Sequence, residues 1–312
     1  MQHGTDMPNN SRAGAILRPF LPYCLIMVSG VFWGLNTGIA KLAVNEGVTG
    51  AQIAFVQASV VFVGLAMLGA ICNERIAFSR SLLVGSILAG IFGLGIPNMI
   101  AFFGVDYVSI GVISIIFALV PIFTLVLSLV AKTDRSSTIR VVGILLGLAS
   151  VSAIIWGSSR FSDRINDTFW VLLMLVSALG YAFRNIVFSK LATVATAPFY
   201  TSSATFFFVS ITAGVTALLL NDPWTVLMSN PKAMTYTMWM GVAMCIGMAA
   251  YVYTIRNFGP VVSSLPTYIV AFTGVVSGVV MFDERLPIVF WGALPFLCLS
   301  LYLVNLKPKQ SI

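Results

Sequence analysis

From Leu82 to Phe103 the chain carries no charged side chain, and nine other apolar stretches of comparable length accompany this one. Few folds are open to such a segment. A helix of about 20 apolar residues crosses the hydrocarbon core of a bilayer. The ten runs fall near 20–43, 51–71, 82–104, 108–131, 139–157, 168–190, 199–220, 233–254, 262–282 and 287–306. The short alternating segments of a membrane barrel are absent from them. Helices satisfy their own backbone hydrogen bonds, as the bilayer interior requires. The expected fold class is therefore an all-α integral membrane protein with ten transmembrane helices. Only 9% of the side chains are charged, against roughly 25% in soluble domains, too few to cover a water-soluble core of this size.

The pattern runs twice. Lys41-Leu42-Ala43 closes the first run, and Lys190-Leu191-Ala192 closes the sixth, 149 residues later. The same offset pairs Asn36 with Asn185, Asp134 with Asp283 and Gly143 with Gly292. Five crossings per copy is an odd number, so the second copy is expected upside down relative to the first. Inverted repeats of this kind build a site at mid-membrane that opens to either side. The expected organisation is a tail at 1–19, a first five-helix repeat at 20–157, a second at 168–306 and a tail at 307–312. The loop near 157–167 is the join.

The net charge of +7 raises the question of nucleic acid, but the charges sit in short loops and follow the positive-inside rule. With the N-terminus inside, eleven cations fall on the inner side (Arg12, Arg18, Arg75, Arg80, Lys132, Arg135, Arg140, Lys190, Arg256, Lys307 and Lys309). Five fall outside: Lys41, Arg160, Arg164, Lys232 and Arg285. Both termini are expected in the cytoplasm of a bacterial inner membrane, with no nucleic-acid partner. The first run is too long for a signal-peptide core and reads as a retained span. Cys24, Cys72, Cys245 and Cys298 show neither a disulfide framework nor metal-ligand spacing, and the sole histidine is His3. The chain has no Gly-rich phosphate loop ending in Lys-Ser/Thr and no nucleophile–histidine arrangement. No enzyme activity, cofactor or metal is expected. The ten acidic residues lie in the tail, loops or span ends, which argues against a proton pump built on a buried carboxylate.

Proline falls inside three runs, at Pro97, Pro121 and Pro266. Each removes a backbone donor and frees a carbonyl. One reading is a tolerated kink; the other is a hinge whose freed backbone groups line a cavity. Gly274 and Gly278 have the spacing that permits close helix contact.

Trp33-Gly34 with Asn36 in the first run, Pro121 in the fourth and Asp283-Glu284-Arg285-Leu286 before the tenth resemble the drug/metabolite transporter superfamily, in particular its EamA-type members. Repeats of that family commonly carry a Gly-Glu-Arg-Leu turn before their last helix. The second copy here matches it well, whereas Thr133-Asp134-Arg135-Ser136 in the first copy is degraded. The resemblance covers residues 20 to 306. It implies ten helices with a substrate cavity between the two repeats. Family members export amino acids and other metabolites, while others move sugars, carboxylates or vitamins.

Candidate binding residues are polar or aromatic side chains within the runs. Arg184 lies six residues before Lys190, about 9 Å from the end of its helix. It either snorkels to the interface or faces a cavity and pairs with an anionic group, which guanidinium suits. Its equivalent in the first copy is Leu35. Asn36 and Asn185 either join helices or meet at a site on the pseudo-two-fold axis, with Gln57 and Asn98 as further candidates. Trp33 and Tyr181 sit about one turn before the two asparagines, and with Tyr251 and Tyr268 they are candidate apolar walls. The acidic turn at 283–285 reads as a loop–helix junction, its carboxylates favouring the first turn of the last helix.

The expected function is secondary transport of a small organic metabolite, an amino acid or organic anion, by alternating access and in the export direction. The alternatives are a facilitator or uptake carrier for a sugar or vitamin, and a membrane protein without transport activity, including a membrane enzyme. The expected partners are the small-molecule solute and the lipid bilayer, and a homodimer is compatible with the sequence.

Overall fold

The computed structural model describes residues 20–75, 79–132, 137–161, 168–192, 197–263, 266–286 and 288–306. The tails at 1–19 and 307–312, the turn at 133–136 and the 162–167 part of the loop lie outside the described residues. Among the described residues all regular structure is helical. The helices are α1 Leu21–Asn45, α2 Gly50–Ile71, α3 Arg80–Leu88, α4 Ile96–Gly104, α5 Ile110–Phe117, α6 Val120–Val130, α7 Thr138–Phe161, α8 Thr168–Ala192, α9 Pro198–Leu219, α10 Trp224–Ser229, α11 Pro231–Ser263, α12 Pro266–Phe282 and α13 Ile288–Asn305. A π-helical segment, Ala89–Gly95, joins α3 to α4.

Seven helical stretches are long and apolar enough to cross a membrane, counting Arg80–Gly104 and Ile110–Val130 as one stretch each. Thr138–Ile154, Pro266–Phe282 and Ile288–Val304 are shorter apolar helices. This is a multi-pass membrane protein. Large apolar side chains such as Met67, Leu219 and Val280 lie exposed on its outer surface, where lipid rather than water is the matching solvent.

Local chemistry sets many boundaries. Thr49 caps α2 in a capping box with Gln52, and Ser109 caps α5. Asn73, Lys132, Asn221 and Asp283 take positive φ just after α2, α6, α9 and α12. That left-handed residue turns the chain out of a helix.

Several expectations need revision. Of the three prolines, Pro97 follows the π-helical segment inside the continuous helical stretch Arg80–Gly104, Pro121 stands in the first turn of α6, and Pro266 opens α12. A proline inside such a stretch removes one ladder donor, and the π-helical turn stands beside Pro97. The fourth run is broken at Ala118–Leu119, between α5 and α6. The eighth run ends where the apolar span Pro231–Thr254 ends, but its helix, α11, continues to Ser263 through Arg256 and Asn257. The helical hydrogen-bond ladder outlasts the apolar composition there. The 157–167 loop begins late, since α7 runs to Phe161, and α10 was not foreseen. Pro295, inside α13, was also missed as a helix irregularity.

The packing partners are specific. α1 packs on α11 and α12, while α8 packs on the π-helical segment, α4 and α6. α2 pairs with α9, and α7 with α13. Polar bonds tie two of these contacts inside the bundle: Ser29 on α1 donates to the Gly247 carbonyl at 3.0 Å, and Ser177 on α8 donates to the Pro97 carbonyl at 2.8 Å.

Candidate functional site

A cavity of about 550 Å3 occupies the bundle, lined mainly by α1, α2, α4, α6, α8 and α11. Trp33 and Asn36 from α1, Gln57 from α2 and Asn98 from α4 all line it. So do Pro121 at the start of α6, Tyr181, Arg184 and Asn185 from α8, and Tyr251 from α11. Three expected residues stand elsewhere. Tyr268 donates its hydroxyl to the Leu301 carbonyl at 3.0 Å, linking α12 to α13. Pro97 has its carbonyl taken by Ser177, and neither it nor Pro266 is among the lining residues.

The polar lining forms three clusters. Asn36 Nδ2 donates to the Phe32 carbonyl at 3.0 Å, and its Oδ1 accepts from Gln57 Nε2 at 3.0 Å. Tyr181 donates to Asn98 Oδ1 at 2.7 Å, while its ring meets Phe117 edge-on at 5.3 Å. In the third cluster Arg184 Nη2 donates to Asn185 Oδ1 at 2.8 Å. Asn185 Nδ2 reaches Thr124 Oγ1 at 3.3 Å, and Thr124 in turn donates to the Val120 carbonyl. The two equivalent asparagines therefore share one cavity but not one role. Asn36 binds α2, whereas Asn185 holds Arg184 and reaches α6.

The Arg184 guanidinium carbon lies 6.0 Å from the Trp33 ring centroid and 5.8 Å from that of Phe188. Both distances suit a cation facing an aromatic ring. Its Nε is buried without a hydrogen-bond partner. Trp33 also stacks obliquely on Tyr251 at 5.4 Å. Trp33 Nε1, likewise buried and unpartnered, would lie 2.5 Å from a Cβ placed on Gly247. That indole edge is packed into the α1–α11 contact. Gly93 plays the same part under Arg184: a Cβ there would lie 2.7 Å from Arg184 Cβ. The π-helical turn and its glycine let α8 approach at the residue that carries the charge.

No Asp or Glu is among the described lining residues, whereas Arg140 joins Arg184 there. Arg140 was read as a loop-side cation, yet it reaches the cavity and donates Nε to the Val304 carbonyl at 3.0 Å. Thr37, Thr124, Ser128, Ser189 and Thr267 were missed as lining residues. Thr124 and Ser128 had a legible signal, since they are the polar pair at i, i+4 on one face of an apolar run. Exposed Ser189 carries the cavity to the surface at the end of the bundle where Arg140 binds Val304.

At the opposite end, helix termini are bonded to one another. Glu284 accepts from the backbone N–H groups of Ile110 at 2.8 Å and Gly111 at 2.9 Å, and Lys41 Nζ lies 3.6 Å from it. Glu284 thus serves the N-terminus of α5, not that of α13 as its sequence position suggests. Thr49 Oγ1 donates to Asp222 at 2.5 Å, and Asn230 donates to Glu46 at 2.8 Å.

Residues 20–156 match the EamA-like transporter family. An uncharacterized transporter of Archaeoglobus fulgidus is 29% identical over 134 residues, which is 42% of this chain and 46% of that protein, so the match spans about half of that relative. The uncharacterized inner membrane transporter YedA of Escherichia coli K12 is 22% identical over 283 residues, 88% of each chain. A solved crystal structure overlays with a TM-score of 0.61 at 14% identity, covering 90% of this chain and 98% of that one. At that identity the likeness concerns the fold.

Proposed function

We propose that this chain, a transporter of the EamA type, carries a small organic metabolite across the bacterial inner membrane by alternating access. The observation that carries the reading is the cavity of about 550 Å3 inside an apolar helical bundle. It reaches the surface at Ser189, and at the far end Glu284 bonds the start of α5 beside Lys41. A carrier needs one occluded site with one end open at a time.

Two inverted five-helix repeats, ten spans in all, are the architecture this reading requires. The contacts support it because they survive exchange of the halves. The α1–α11 contact mirrors α8 against the π-helical segment and α4, the α1–α12 contact mirrors α8–α6, and α2–α9 and α7–α13 map onto themselves. The end clasps behave likewise. Glu74, after α2, accepts from the Phe199 N–H at the start of α9 at 3.0 Å, and Asp222, after α9, accepts from Thr49 at the start of α2.

With both termini cytoplasmic, as the excess of inner cations favours, the open end at Ser189 faces the cytoplasm. A solute then exchanges with the cytoplasm in this state, and the resemblance to exporting members of the family favours loading there for export. The substrate class is an amino acid or an organic anion. The test is flux from reconstituted proteoliposomes across a panel of amino acids, organic acids, sugars and vitamins. The expected result is saturable movement of one class, slowed by Asn36→Leu and Gln57→Leu. Movement of no solute by a monodisperse preparation would sink the carrier reading.

A further inference from the structure

We propose that the cavity selects carboxylates, whose carboxylate binds the Arg184 guanidinium, and rejects free amino acids and organic cations; this rests on the carrier reading above. Among the described residues the lining supplies two cations and no anion. Arg184 cannot shed its charge by deprotonation. Its hydrogen bond is to a neutral partner, Asn185 Oδ1, and no carboxylate pairs with it among the described residues. A guanidinium inside an apolar bundle is costly unless it meets an anion. Nε, buried and without a partner, forms with Nη the planar donor edge that a carboxylate matches.

Snorkelling does not account for this side chain. Asn185 holds the guanidinium next to Trp33, near the midpoint of α1. The scaffold does not need the charge either, since Leu35 stands at the equivalent place in the first copy.

The rest of the cavity defines the remainder of the ligand. The bonds described above occupy Gln57 Nε2 and Asn98 Oδ1, which leaves Gln57 Oε1 and Asn98 Nδ2 without protein partners. These neutral groups suit a hydroxyl or carbonyl. Trp33 and Tyr251 supply an apolar wall. An amino acid bound through its carboxylate would place its ammonium within a few ångströms of the guanidinium, with no lining carboxylate to offset the repulsion.

The test uses four probes that share one apolar body: 3-phenylpropionate, its amide, phenylalanine and phenethylamine. Binding to the purified full chain is measured by equilibrium dialysis, and flux is measured in proteoliposomes. 3-Phenylpropionate is expected to bind at least about tenfold tighter than the other three. Arg184→Gln should erase that preference, Arg184→Lys should keep part of it, and Tyr268→Phe should keep all of it. The proposal is overturned if the amide or phenylalanine binds as well as the acid, if Arg184→Gln retains the preference, or if none of the four binds. Should Arg184→Gln fail to fold, the four-probe ranking on the parent chain and on Arg184→Lys decides. Arg184-dependent binding without flux would refute the carrier reading alone. Flux without anion preference would refute this inference alone.

Discussion

Replacing Glu284 with Gln tests the far end of the bundle most directly. The carboxylate accepts two backbone N–H bonds, at 2.8 and 2.9 Å, from the first turn of α5. Lys41 stands 3.6 Å away, and both side chains are largely buried, at 18% and 11% exposure. A hydrogen bond to a charged group contributes about 1.5–3 kcal/mol. Gln keeps one acceptor but turns an NH2 toward the second backbone N–H, so one bond is lost and one donor is stranded. The favourable interaction with the α5 dipole, about 0.3–1 kcal/mol, goes as well. The ion pair with Lys41 adds up to about 1 kcal/mol. The expected loss is about 2–4 kcal/mol, read as a fall in apparent Tm on the order of 5 °C in thermal unfolding of the purified protein. Asp283→Asn is the control. Asp283 is exposed and adopts φ 50°, which Asn tolerates, so its effect should stay within about 0.5 kcal/mol. A Glu284→Gln variant as stable as its parent, or an Asp283→Asn variant that loses more, would refute the clasp. On the alternating-access reading the same substitution loosens the end that must open for release. Flux should then rise where that opening limits the cycle.

Gly93→Ala places a methyl group 2.7 Å from Arg184 Cβ; it should cost about 1–3 kcal/mol in thermal unfolding and weaken solute binding, because α8 must move away from the π-helical turn. Tyr268→Phe removes the bond to the Leu301 carbonyl and should cost about 1 kcal/mol with solute affinity unchanged in dialysis. Glu74→Gln and Asp222→Asn loosen clasps on two different helix starts, so their losses in unfolding free energy should add within about 0.5 kcal/mol in the double variant.

Much of the helical layout was legible because the bilayer removes alternatives. A run such as Gly50–Ile71 must be helical if it lies in lipid, and its start is written in the Thr49–Gln52 capping box. The resemblance to EamA-type transporters, read from Trp33-Gly34, Asn36, Pro121 and the 283–286 turn, was borne out by the family match over residues 20–156. What stayed illegible depends on contacts distant in sequence. Glu284 reads as a cap for the helix that follows it, yet it binds Ile110 and Gly111, which lie more than 170 residues away in the chain. Arg140 looks like a loop cation until Val304 brings it into the cavity. Tyr268 looks like a wall residue until its hydroxyl is found on Leu301. Helical spacing ranks faces within one helix, but it does not say which face meets which neighbour.

On the proposed inverted-repeat reading, the repeat accounts for the frame of the cavity, and departures from it account for what the cavity can hold. Contacts that survive exchange of the halves, such as the Glu74 and Asp222 clasps, lie at the helix ends and hold the frame. Departures from the exchange are found in the lining. Asn36 is spent on Gln57, whereas its counterpart Asn185 is spent on Arg184, a charge that Leu35 lacks in the first copy. A symmetric frame supports two end states of similar energy, as alternating access needs. A symmetric lining would present a solute with two equivalent half-sites. On the proposed carrier reading the Arg184 guanidinium breaks that equivalence and would give a bound carboxylate one orientation, so the solute would present the same face to the site whichever end is open.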